Sequence, residues 1–391
     1  MSKSTRPNRF TLNSTPSSSR LATALLFFLF GVNIATWISR IPAIQTDLHL
    51  TKSALGSVLL FSALGSLLLT PLWGSWIARY GSPLMTRITI LLATADLLGL
   101  ALAPNAPALA AALFLFGVAN GGLNAAVNAQ AILLERHYPR PIMSSFHAAF
   151  SVGGMSGAAL GGLLAARGWT PAQHFLLIAL LVAATGWAAI PWFLRESSTD
   201  RDTGGPLLVL PHGPLLTLGA LAATIMIGEG AMADWIAIYL RDTLHTAEST
   251  AALAYSAFSA SMAVGRFAGD WLTHHLGPAR LSRYLALTAA AGLTLALLTS
   301  SLPAAFLGFA LTGLGYSVIV PLVFSASGRL PGISPGHGIA AVSTTGFFGF
   351  LTGPPLIGFL ADATSLRAAL FTVAALNLGA AALSKSLERR S

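Results

Sequence analysis

Residues 21–42 read LATALLFFLFGVNIATWISRIP, 22 positions in which the one charged side chain, Arg40, stands three places from the end. A bilayer-spanning helix needs about 20 predominantly apolar residues, so this stretch is long enough to cross. Arg6, Arg9 and Arg20 precede it, as basic residues precede the apolar core of a signal peptide. The run is longer than such a core, however, and the pattern recurs along the whole chain, so the first helix is retained. Windows of the same kind, ended by Pro, Gly or clustered charge, follow at residues 53–77, 85–103, 108–131, 142–165, 174–193, 215–239, 250–271, 282–299, 303–325, 339–360 and 368–383. Twelve spans result, and the fold expected is an all-α membrane protein.

Composition points the same way. Of 391 residues 54% are apolar and 9% charged, against about 25% charged in an ordinary soluble domain. That excludes a water-soluble globular protein. The net charge of +9 would suggest a nucleic-acid partner in a soluble chain, but here the charges sort by side. Lys3, Arg6, Arg9, Arg20, Arg79, Arg87, Arg136, Arg140, Arg195, Arg201, Arg280, Arg283, Arg329, Lys385, Arg389 and Arg390 fall on one side; Arg40, Lys52, Arg167, Arg241 and Arg367 fall on the other. The basic side, with both termini, is expected to be cytoplasmic, and the location the inner (plasma) membrane. No nucleic-acid partner is implied. Cysteine is absent, which excludes disulfides and thiolate chemistry.

The expected organisation is a disordered tail over 1–19, a six-helix half over 20–194, a hydrophilic loop over 195–213, a second half over 214–384 and a tail over 385–391. The halves align at an offset of 196 residues: Leu48/Leu244, His49/His245, Gly81/Gly277, Arg87/Arg283, Pro107/Pro303, Gly117/Gly313, Pro139/Pro335, Gly153/Gly349, Gly157/Gly353 and Gly162/Gly358. Twelve helices in two parallel-related six-helix halves is the economical reading. Transporters built so hold substrate near mid-bilayer between halves that rock against each other.

The spans, the central loop and the loop after the second span resemble the major facilitator superfamily over essentially the whole chain. Within it, Gly31 to Pro42, Asn120 to Asn128, Arg140 to His147 and Gly228 to Trp235 resemble a bacterial inner-membrane branch related to the fucose-permease group. The resemblance implies that the first, fourth, seventh and tenth spans line a central cavity. It also implies a cytoplasmic gate at the loop after the second span, Gly74, Arg79 and Gly81, where Ala78 replaces the usual Asp. The counterpart in the other half carries Gly265, Arg266, Gly269, Asp270 and Gly277.

In those cavity-lining spans, repeat-equivalent polar residues stand near mid-span: Asn33 with Glu229, and Asn120 with Tyr316. Asn33, Asn120, Asn124, Glu229 and Tyr316 are the expected substrate-binding set. The competing reading is that such Asn and Tyr side chains stitch helices together, at about 0.6–2 kcal/mol each. Glu229 stands out, because a carboxylate at mid-bilayer is costly and marks a pathway or proton relay. Gly228 and Gly230 beside it would let the helix bend. Asp234, Asp96 and His147 are further proton-coupling candidates, each with a structural alternative; for Asp234 this is pairing with Arg40 or Arg241. Trp37 and Trp235 read as interface-belt or packing residues. Gly153, Gly157 and Gly161 repeat the GxxxG spacing of close helix contacts.

Gly332 to Gly336 spells GxSxG, but in a loop between spans rather than a strand-turn-helix, so it is no nucleophile elbow. With neither a P-loop nor a metal-ligand motif, the chain is expected to be no enzyme and to need no cofactor or metal. The reading is a secondary active transporter of a small polar solute, neutral and sugar-like, working with protons, in the lipid bilayer and as a monomer. No Lys or Arg sits at the centre of a cavity-lining span, which disfavours an organic anion. Two alternatives stand beside it. One is a proton antiporter exporting amphiphilic cations, since Gly157 to Gly162 resembles the antiporter motif with Ala158 in place of its proline. The other is a sensor that keeps the fold without turnover.

Overall fold

The computed structural model describes residues 16–139, 142–194, 212–330, 333 and 335–388. Among them there are helices and no strands. They are α1 (Pro16–Asp47), α2 (Lys52–Tyr80), α3 (Ser82–Ala101), α4 (Ala106–Glu135), α5 (Met143–Ala166), α6 (Pro171–Ala189), α7 (Pro214–Thr243), α8 (Glu248–Leu276), α9 (Pro278–Leu298), α10 (Leu302–Tyr316), α11 (Ile319–Ser327), α12 (Pro335–Ala363) and α13 (Leu366–Leu383). Counting α10 and α11 as one broken span, eleven are long and apolar enough to cross a membrane. The twelfth, α8, is equally long at 29 residues but carries Ser256, Ser259, Ser261 and Arg266.

Helix ends follow from local chemistry. Thr51, Asn105 and Ser365 accept the backbone N–H three residues on, and Thr170 with Gln173 forms a reciprocal capping box. The tenth span is broken beside a proline. Pro321 has no N–H to offer Ser317, four residues earlier, and it is at Ser317 and Val318 that the helix is interrupted. The hydropathy pattern predicts one continuous span over 303–325, and the structure divides it.

Two expected boundaries shift. α1 begins at Pro16, inside the expected tail, where the Ser19 hydroxyl donates to Trp192 O at 2.7 Å. The C-terminal tail begins as a 3-10 turn, Ser384–Leu387, whose Ser384 and Leu387 are buried. The central loop lies outside the described residues except for 212 and 213.

The two halves, α1–α6 and α7–α13, share backbone detail at the 196-residue offset. His49 (φ 50°) and His245 (φ 53°) are the two non-glycine residues with positive φ among those described, and Gly81 (φ 85°) matches Gly277 (φ 76°). Positive φ is uncommon outside glycine, so the paired histidines record one repeated turn. Gly117 lies against the Ser62 carbonyl and Gly313 against that of Phe258, again 196 residues apart at both partners.

Across the halves α5 packs on α8, α2 on α12, and α1 on α7 and α8. One end of the bundle is shut by polar contacts between the halves. Arg40, 1% exposed, donates to Glu248 Oε1 at 2.7 Å, and also to Trp169 O and His174 Nδ1 on its own side. Arg241 reaches Pro42 O, Thr46 Oγ1 and Gln45 Oε1 near the end of α1. Lys52 pairs with Asp242 at 3.4 Å, and Asp362 accepts the Lys52 and Ser53 backbone N–H groups at the start of α2.

Candidate functional site

Glu229 is the sixteenth of the 30 residues of α7, half-way along the bundle. It retains 28% exposure, and its neighbours Arg266, Tyr255 and Tyr316 come from α8 and α10, so the exposure opens onto space inside the bundle. Arg266 Nη2 stands 3.9 Å from Glu229 Oε1. The same guanidinium donates from Nη1 to Ser151 Oγ at 2.6 Å and His147 O at 3.2 Å, both on α5 of the other half. From Nε it donates to Ser317 O at 3.4 Å. That last carbonyl is the one freed by Pro321.

Arg266 was expected in the gate loop with Asp270, and the structure parts the two. Asp270 is exposed, whereas Arg266 lies ten residues before the end of α8 and turns inward. Helical side chains lean toward the helix N-terminus, and α8 starts at the closed end, so a long side chain at 266 leans back to mid-depth. The first-half loop residues stay apart from the site: Gly74 has no neighbour within 4 Å of a would-be Cβ, Arg79 stacks on Tyr80 at 5.2 Å, and Gly81 makes the α2–α3 turn.

Of the expected binding set, Asn33 and Asn120 meet directly. Asn33 Nδ2 donates to Asn120 Oδ1 at 3.0 Å, Asn120 Nδ2 donates to Phe116 O, and both residues are buried. Asn33 Oδ1 has no partner. Asn124 is exposed and accepts Asn128 Nδ2 at 2.8 Å. Tyr316 is 1% exposed, with its hydroxyl donating to Asn377 Oδ1 at 2.9 Å and pressed against Gly228. α7 runs unbroken through Gly228 and Gly230. Their missing side chains make room for Tyr316 and Phe350.

The other candidates scatter. His147 faces Phe27 edge-on at 5.4 Å, beside Arg266. Asp234 stands further along α7; Arg40 and Arg241, its expected partners, are engaged elsewhere, and none of the described residues pairs with it. Asp96 lies on α3 next to Gly99, away from this cluster, with Oδ2 buried and unpartnered. Trp37 and Trp235 are both buried, so they pack inside the bundle rather than forming a belt. Gly153, Gly157 and Gly161 press on α1 of their own half, while neighbouring Gly154 and Gly162 receive Ser259 and Ser249 of α8.

A twelve-helix bundle of two like halves, shut at one end and holding a charged pair midway between them, is the build of a membrane transporter. The chain belongs to the major facilitator superfamily, whose model matches residues 22–332 and 218–390. It is therefore a multi-pass membrane transporter of that type and not an enzyme. Its relatives include an uncharacterized transporter, y4wD, of Sinorhizobium fredii, 38% identical over 351 residues, 89% of this chain and 92% of that one. An uncharacterized MFS-type transporter of Yersinia pestis is 35% identical over 95% of this chain and 96% of its own. Among solved structures, a bacterial homologue of the human lysosomal transporter Spinster, inward-facing and occupied, superposes with a TM-score of 0.75. It covers 95% of this chain and 97% of its own, and at 17% identity it shows the shared fold.

Proposed function

We propose that the chain is a secondary active transporter that moves a small, polar, neutral solute together with protons, admitting it from one side of the inner membrane at a time. The observation that carries this is the Glu229–Arg266 pair, 3.9 Å apart at mid-depth, with Glu229 partly exposed. A carboxylate there is a natural proton-exchanging group. Arg266 supplies the cation that the cavity-lining spans lack, but Glu229 balances it, so the pair still suits a neutral solute. A hydroxyl can accept from Nη2 and donate to Glu229 at once, which fits a sugar-like molecule and agrees with the resemblance to the fucose-permease group.

In this reading Glu229, Arg266 and Asn124 face the solute, while Asn33–Asn120 and Tyr316–Asn377 hold the wall behind it. The distribution of Lys and Arg supports cytoplasmic termini, which makes the shut end the outer one and the conformation inward-facing. Export of organic cations by proton antiport is the second reading, favoured by the unpaired Asp234 one to two turns from Glu229.

The test is counterflow in liposomes holding the purified protein, with labelled neutral sugars and polyols, quaternary ammonium ions and carboxylates as probes. Exchange of neutral probes is expected, with exchange preserved but proton-driven accumulation lost in Glu229→Gln. Exchange of the ammonium probes alone would overturn this reading in favour of the antiporter, and binding without any exchange would favour a sensor.

A further inference from the structure

We propose that Arg87 and Trp187 form a binding site for an anionic phospholipid, in the leaflet at the end of the bundle opposite the shut one. The site lies on the outer surface of the first half, apart from the Glu229–Arg266 pair.

Arg87 is the sixth residue of α3, about 7–8 Å in from the helix start. Trp187 lies at a matching depth, five residues before Trp192 ends the apolar span of α6, and α3 packs against α6. The Arg87 guanidinium stands over the Trp187 ring at 5.6 Å, within cation–π range. Its Nε is buried without an acceptor, so the aromatic ring holds the side chain where it is. On the same two helices Leu84, Ile88, Leu91, Trp187 and Trp192 are exposed, and in a bilayer that apolar surface meets lipid.

A cation at this depth calls for an anion, and among the described residues the protein offers none. α6 has no acidic residue, and the one acid of α3 is Asp96, about 13–14 Å further along the helix. Neutral acceptors at the helix ends are taken: Ser82 Oγ and Leu194 O by Gln130, and Trp192 O by Ser19. A guanidinium presents two parallel N–H donors that match two oxygens of a phosphodiester, while acyl chains suit the exposed leucines beside it. A zwitterionic head group would bring an ammonium to a place that has a guanidinium and no carboxylate. That selects an anionic head group such as phosphatidylglycerol or cardiolipin.

The repeat supplies an internal comparison. Arg283 is likewise the sixth residue of its helix, α9, but it is exposed and stacks on no ring among the described residues. Positive charge alone would make the two positions equivalent, whereas a built site distinguishes them.

The test titrates purified, delipidated protein in detergent with phosphatidylglycerol, phosphatidylethanolamine or phosphatidylcholine of the same acyl chains, counting bound lipids by native mass spectrometry. The first phosphatidylglycerol is expected to bind about tenfold more tightly than either zwitterionic lipid. Arg87→Gln should remove that preference, Trp187→Leu should weaken it, and Arg283→Gln should keep it. Arg87→Lys, which retains the charge without the planar fork, should fall between wild type and Arg87→Gln, and it keeps the test readable if the glutamine variant does not fold. Glycerol phosphate, which has the head-group chemistry without acyl chains, should not displace the lipid. Glu196→Gln, which removes the first acid after α6 in the sequence, should bind as wild type does. Equal affinity for the three lipids, or a preference kept in full by both Arg87 variants, would overturn the site. So would an equal loss in Arg283→Gln, which would mean surface charge alone, or displacement by glycerol phosphate, which would mean a site for free phosphate esters. Tighter lipid binding by Glu196→Gln would show that the chain itself neutralises Arg87, and would also overturn the proposal.

Discussion

Asn33 and Asn120 show what a polar residue inside the bundle does when it meets a partner. Their hydrogen bond joins α1 to α4 away from lipid and water, and such bonds are worth about 0.6–2 kcal/mol. A double-mutant cycle with Asn33→Leu and Asn120→Leu, read by unfolding in detergent, should give a coupling energy in that range. Additive losses would show that the amides do not act as a pair. Glu229 was legible in the sequence because a carboxylate has no bland reason to sit in an apolar run. Arg266 was not, because counting along α8 assigns it to the end of the helix. Only the backward lean of helical side chains brings it to Glu229, and that lean was the usable signal. Tyr316 looked like a cavity residue by position, yet the gap at Gly228 and the amide of Asn377 draw it into the packing.

At the scale of elements, helix contacts here depend on missing side chains and missing donors. Gly117→Ala and Gly313→Ala each put a methyl onto a carbonyl of the facing helix. Each should cost about 1–3 kcal/mol, the usual range for overpacking, seen as a lowered midpoint of thermal unfolding. Gly74→Ala, inside α2 with open space around it, should raise the midpoint slightly, alanine being the better helix former by about 1 kcal/mol. Pro321→Ala restores the N–H that Ser317 O lacks. Amides of residues 318–322 should then exchange hydrogen more slowly, by about tenfold for each ~1.4 kcal/mol gained, and Arg266 should lose one acceptor. Unchanged exchange would mean that Pro321 does not cause the break. The lengths of the spans were readable because Pro, Gly and charge mark their ends. The break is not legible because hydropathy is uniform across it and prolines elsewhere in the chain sit inside unbroken helices.

For the whole molecule, the balance between conformations is set by how firmly the shut end holds. Arg40 is its most buried charge and binds three partners from different elements. Ser39→Cys, next to it in α1 and buried, reports access. Adding Arg40→Gln should speed its labelling by a water-soluble maleimide about tenfold, equivalent to ~1.4 kcal/mol; unchanged labelling would show that the latch lies elsewhere. The two-half architecture was legible because glycines, prolines and histidines repeat at a constant offset, and His49 with His245 shows that the backbone repeats as well. The shut end was not legible, since it depends on which charges of separate helices meet in space.

The most direct test of the account is proton movement. Purified protein in sealed liposomes with an internal pH dye would be compared with Glu229→Gln while neutral sugars and polyols are added outside. The account predicts solute-dependent acidification inside for wild type and none for the variant. Acidification of equal size in both would contradict it.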